Sequence, residues 1–77
     1  MQVTMRSTSK IVEMMVPGES APARLWEGVT PNGIPFYAFI CRVAVLRSDD
    51  TAEFEKELRE TYAPSAVAET FPARFIL

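Results

Sequence analysis

The stretch from Arg24 to Arg47, RLWEGVTPNGIPFYAFICRVAVLR, constrains the fold most, because it reads as a β-hairpin with a strongly apolar second strand. Two runs rich in β-branched and aromatic residues flank Thr30-Pro31-Asn32-Gly33-Ile34-Pro35, a cluster whose backbone preferences favour a tight reversal. Pro31 holds φ near about −65°, suited to the first central position of a type I turn, and Gly33 can then take φ > 0 as a G1 bulge. In that register Leu25 faces Phe39, Ala23 faces Cys41 and Glu27 faces Tyr37. The other side of the hairpin carries Arg24, Trp26, Phe36, Ala38, Ile40 and Arg42, with Phe36 across from Gly28 and covering its missing side chain. A type I′ turn centred on Asn32-Gly33 slips the pairing by one residue and moves Trp26 to the side of Phe39. The first register is preferred, since the second puts Pro31 at a paired strand position.

With 77 residues the chain is one domain, burying only about 60–65% of its unfolded surface, so a second subunit would help to stabilise it. No apolar run approaches the length of a membrane span, so no membrane partner is expected. Cys41 is the single cysteine, which rules out an internal disulfide; at mid-strand it reads as a buried small hydrophobe, and a cytoplasmic location fits. Ala21-Pro22-Ala23 after Ile11–Val16 imitates a signal peptide, but that run is short and contains Glu13.

Residues 1–10 are polar without a sustained period and are expected to form a mobile arm. Ile11, Met14 and Met15 fit a helical spacing, whereas Ile11, Glu13 and Met15 alternate as in a strand, and six residues leave both open. Residues 17–22, PGESAP, have linker composition, so 1–22 is read as a flexible arm and linker and 23–77 as a single α+β domain. Asp50 and Glu53 resemble a capping box in front of a helix over 51–62, whose Phe54, Leu58 and Tyr62 form one apolar stripe. Pro64 bars continuation of that helix, Ser65 to Thr70 can add one more turn, and Phe71 to Leu77 alternates as a closing strand. The sum is β-β-α-β: a mainly antiparallel sheet with a right-handed crossover to the last strand and one helix packed on one face. The expected core is Leu25, Tyr37, Phe39, Cys41, Val43, Val45, Phe54, Leu58, Tyr62, Phe71, Phe75 and Leu77.

The uncovered face would then carry Trp26, Phe36 and Ile40 among Arg24, Arg42 and Arg74. Trp, Phe and Arg are the types enriched where proteins bury surface against each other, so self-association as a homodimer or a protein partner is the leading reading. The same surface could stack bases and grip phosphates, or be covered internally by residues 11–16. The segment 49–60 has a local net charge of −4, and Asp50, Glu53, Glu57 and Glu60 form a candidate acidic face for docking on a basic host protein. The bland alternative is a solvated helix, with Glu55 and Arg59 as an i, i+4 pair and acids offsetting the helix dipole.

Catalysis has little to work with. The chain has no histidine, and no second group is spaced to shift a carboxylate, lysine or thiol into the neutral range. One cysteine without histidine excludes a zinc site, and three scattered glycines make no phosphate loop, so no catalytic residue, metal, cofactor or small-molecule substrate is expected.

The runs Arg24-Leu25-Trp26-Glu27-Gly28 and Arg42-Val43-Ala44-Val45, the proline-bearing strand entry at 35–37, Phe54 with Glu57-Leu58, Pro64-Ser65 and the ending at 72–77, PARFIL, carry a resemblance. They resemble a family of short uncharacterised proteins encoded on integrative elements and plasmids of proteobacteria. The resemblance covers residues 23–77 and implies a setting, a mobile element in a bacterial cytoplasm. It brings no established activity and no functional residue.

Overall fold

Two tight turns and one bulge shape the sheet. The computed structural model describes residues 1–71, arranged as strands β1 (Thr4–Val16), β2 (Glu19–Val29) and β3 (Pro35–Ile40), then helices α1 (Thr51–Leu58) and α2 (Ala66–Glu69). The strands form an antiparallel sheet in the order β1-β2-β3, giving a small α+β unit.

The β2–β3 hairpin has the expected register. Leu25 pairs with Phe39, Glu27 with Tyr37 and Gly28 with Phe36. The Gly33 N–H donates to the Thr30 carbonyl at 2.9 Å, and Gly33 has φ +79°, where a side chain would be strained. Phe36 covers Gly28 so closely that an added Cβ would lie 2.7 Å from its ring and 2.5 Å from the Thr4 carbonyl oxygen.

The N-terminal expectation is corrected. Residues 4–16 are not an arm but an edge strand, and the boundary placed at residue 22 falls inside β2. Pro17-Gly18 is the reason: proline and then glycine at φ +87° make a two-residue reversal that sets Val16 opposite Glu19 and extends the ladder to Thr4 opposite Val29. The alternation of Ile11, Glu13 and Met15 is therefore that of a strand.

The ladder is interrupted between Ser7 and Ile11, where Thr8, Ser9 and Lys10 of β1 stand opposite Leu25 alone. Thr8 is fully buried in this bulge, and its hydroxyl donates to the Leu25 carbonyl at 2.8 Å. The Leu25 backbone thus faces β1, and strand alternation turns the polar groups of even-numbered β2 residues, Pro22 among them, toward β3. Proline has no N–H to give there. Pairing with β3 accordingly ends at Arg24 opposite Ile40, which corrects the expected strand to Arg47. Cys41, expected to face Ala23 in the core, lies past the strand end and is exposed, as is Val43.

Helix α1 starts as expected, with the Asp50 side chain accepting the Glu53 N–H at 2.9 Å. It ends at Leu58 rather than residue 62, because the chain is drawn into an extended pairing with the outer edge of β1. The Tyr62 N–H donates to the Ser7 carbonyl at 3.0 Å, and the Ser9 N–H to the Tyr62 carbonyl at 2.9 Å. Tyr62 is consequently exposed and not a core residue.

The turn expected over 65–70 is α2, with the Ser65 hydroxyl accepting the Ala68 N–H at 3.2 Å. This segment, not α1, meets the Leu25 face. Ala68 is fully buried, and the Phe71 ring lies 4.8 Å from that of Tyr37 and 6.2 Å from that of Phe39. Among the described residues the buried hydrophobic side chains are Ala23, Leu25 and Ala68, while α1 buries none of its own. The expected closing strand beyond Phe71, including Arg74, Phe75 and Leu77, lies outside the described residues.

The approach at Gly28 yields a prediction. Gly28→Ala should lower stability by about 1–3 kcal/mol, seen as a lower urea midpoint; an unchanged midpoint would mean that β1 does not lie as close as 2.5 Å to this position.

Candidate functional site

Antiparallel pairing puts Trp26 on one face of the sheet with its cross-strand partners Ser7 and Ala38, flanked by the pair Arg24 and Ile40. Opposite them stands α1, whose half-buried Phe54 and Leu58 turn toward this face. The two elements do not close on each other. Between them is a groove of about 830 Å³, walled on the sheet side by Met5, Ser7, Trp26 and Ile40, on the helix side by Glu53, Phe54, Glu57 and Leu58, and at its end by Arg6, Glu60 and Tyr62. A second hollow of about 250 Å³ continues from it past Trp26, Ile40, Val43 and Leu58 to Arg24, Arg42, Ile11 and Pro22.

The junction of the groove with β1 is hydrogen-bonded. The Ser7 hydroxyl donates to the Glu60 carbonyl at 3.1 Å, and the Arg6 guanidinium sits 4.8 Å from the centre of the Tyr62 ring, a cation–π distance. Arg24 is held as well, with its Nη1 donating to the Thr8 carbonyl at 2.7 Å, so its charge is fixed at the head of the smaller hollow. Arg42 is exposed beside it.

The structure thus joins two features that the sequence presents separately. Trp26 and Ile40 of the aromatic face share one groove with Glu53, Glu57 and Glu60 of the acidic helix. Arg24 and Arg42 lie at the opposite end of the same surface. Phe36 belongs to the same sheet face but lies over Gly28, outside the groove walls. Asp50 is occupied in capping α1 and does not line the groove. The face expected to be uncovered is overhung by α1.

Met5, Arg6 and Ser7 line the groove although their polar, aperiodic sequence reads as an arm. The Pro17-Gly18 dipeptide was the signal that could have placed them, since a hairpin there brings residues 4–7 alongside 26–29. Among the described residues no cluster of histidine, cysteine, aspartate and glutamate is placed to hold a metal ion, and no helix is long and apolar enough to cross a membrane.

Comparison with protein-family models, with curated proteins and with solved structures gives no match to this chain.

The single tryptophan makes the groove observable. Phe54→Ala removes part of the wall facing Trp26, and the expected result is a red-shifted Trp26 emission, greater acrylamide quenching and an unchanged sheet signal in circular dichroism. Unchanged quenching would mean that α1 does not stand over Trp26.

Proposed function

We propose that this chain is a small non-catalytic binding module that engages protein, as a homodimer or with a partner, through the Trp26–Ile40 face. The observation that carries the reading is the open groove between that face and α1: a Trp, an Ile, a Phe, a Leu and a Tyr line it, and α1 buries none of its residues. An aromatic anchor at the centre of a pocket with charged residues at its rim is the usual composition of a protein-binding hot spot. Trp26, Ile40 and Leu58 are the anchors in this reading, with Arg24 and Arg42 at one rim and the α1 carboxylates at the other.

Charge favours protein over nucleic acid as the partner. Three carboxylates, Glu53, Glu57 and Glu60, line the groove that a base would have to enter, and only Arg6 lies among them. A phosphate backbone laid along it would be repelled at that end. The acidic helix is then part of this surface rather than a separate docking face. The resemblance to short mobile-element proteins fits the same picture, an accessory protein of a bacterial cytoplasm that acts by association and not by chemistry.

Trp26→Ala should weaken association by more than about 1–2 kcal/mol, measured by sedimentation at graded concentrations, while circular dichroism and the urea midpoint stay close to those of the native chain. Unchanged association would remove the Trp26 face from the function. Loss of the fold would make Trp26 a structural residue instead.

A further inference from the structure

The surface that holds Trp26 is charged in opposite senses at its two ends. Arg24 and Arg42 stand at the end toward the Pro17-Gly18 turn, and Glu53, Glu57 and Glu60 stand at the end toward Tyr62, where Arg6 over the Tyr62 ring offsets one of the three carboxylates and leaves that end net acidic. Trp26, Ile40, Val43 and Leu58 are common to both hollows and form the apolar middle. A two-fold axis through that middle would bring the basic end of one copy onto the acidic end of another, twice over. A surface that is complementary to itself in this way is the requirement for an isologous dimer, in which residue i meets j and j meets i.

We infer that the occupant of this face is a second copy of the chain, packed two-fold about Trp26 and Leu58, with Arg42 of each copy against the Glu57 carboxylate of the other. This rests on the proposed binding role of the face and names its partner. One further observation supports it. Arg24 is already held by the Thr8 carbonyl, so one cation of the basic end is fixed in place before association, which lowers the entropy lost on binding.

The test is a charge exchange on the full chain, with mass in solution measured by light scattering over a range of concentrations. The native chain should have twice its monomer mass of 8.6 kDa. Arg42→Glu cancels the charge of the basic end and sets a carboxylate against Glu57 of the other copy, and Glu57→Lys sets an ammonium against Arg42, so each variant alone should dissociate with a Kd raised on the order of tenfold or more. An equimolar mixture of the two should recover the dimer, and so should the chain carrying both substitutions. Recovery also shows that each variant is folded. A native chain that stays at 8.6 kDa at high concentration overturns the inference. So does a dimer whose affinity neither substitution changes, or single variants that dissociate but do not recover on mixing. The proposed function fails separately: it falls if association of any kind survives Trp26→Ala unchanged, and it stands if a monomeric chain loses a different protein partner on that substitution.

Discussion

Thr8 donates its hydroxyl proton to the Leu25 carbonyl from a position with no exposure to solvent, and the rest of the structure is arranged around that bond. Where β1 bulges, three residues stand opposite Leu25 and the register of the ladder shifts. A buried carbonyl left without a partner costs about 1–3 kcal/mol, and at this point the Thr8 hydroxyl supplies the Leu25 carbonyl with one. The same residue accepts the Lys10 N–H on its hydroxyl at 3.3 Å and the Arg24 guanidinium on its carbonyl. The bulge turns the outer edge of β1 into a socket at Ser7 and Ser9, and Tyr62 pairs there.

That pairing determines where everything after β3 can lie. The chain leaves α1 on the Trp26 side of the sheet, crosses the β1 edge at Tyr62 and reaches the Leu25 side, where Ser65 caps α2 and donates to the Glu27 carboxylate. Lys10 Nζ, next to the bulge, donates to the Ala68 carbonyl at 3.1 Å and also to that of Glu69, fastening the end of α2 to the same strand. The Leu25 face is therefore closed by Ala68 and Phe71, while α1 is tethered at its end without being packed down. The groove follows from this division: one side of the sheet uses its apolar surface internally, and the other keeps Trp26 and Ile40 available beneath α1.

The sequence made the β2–β3 hairpin legible because its information is local. Pro31 and Gly33 specify the turn, and Phe36 opposite Gly28 specifies the register, so every pair from Leu25 to Gly28 follows. Asp50 is legible for the same reason, capping a helix within three residues of itself. What was not legible depends on partners far along the chain. Thr8 looks like an arm residue until Leu25, 17 positions away, requires a donor. Tyr62 fits a helical stripe through Phe54 and Leu58, and only its pairing with Ser7 and Ser9 ends the helix before it. The side of the sheet that α1 occupies could not be read from that stripe, since a single apolar stripe is equally suited to either face.

The candidate residues divide along the same line. That Trp26 and Ile40 share a face with Arg24 followed from register alone. That Glu53, Glu57 and Glu60 belong to the same surface did not, because it depends on the crossing at Tyr62. The crossing is thus the structural claim on which both the groove and its proposed occupant depend. Amide hydrogen exchange measures it directly: the Ser9 and Tyr62 N–H groups should be protected to about the same degree as Trp26 and Ala38 in the β2–β3 ladder. Fast exchange at both, with the ladder amides still protected, would show that the chain does not bind the β1 edge and would contradict the placement of α1 over Trp26.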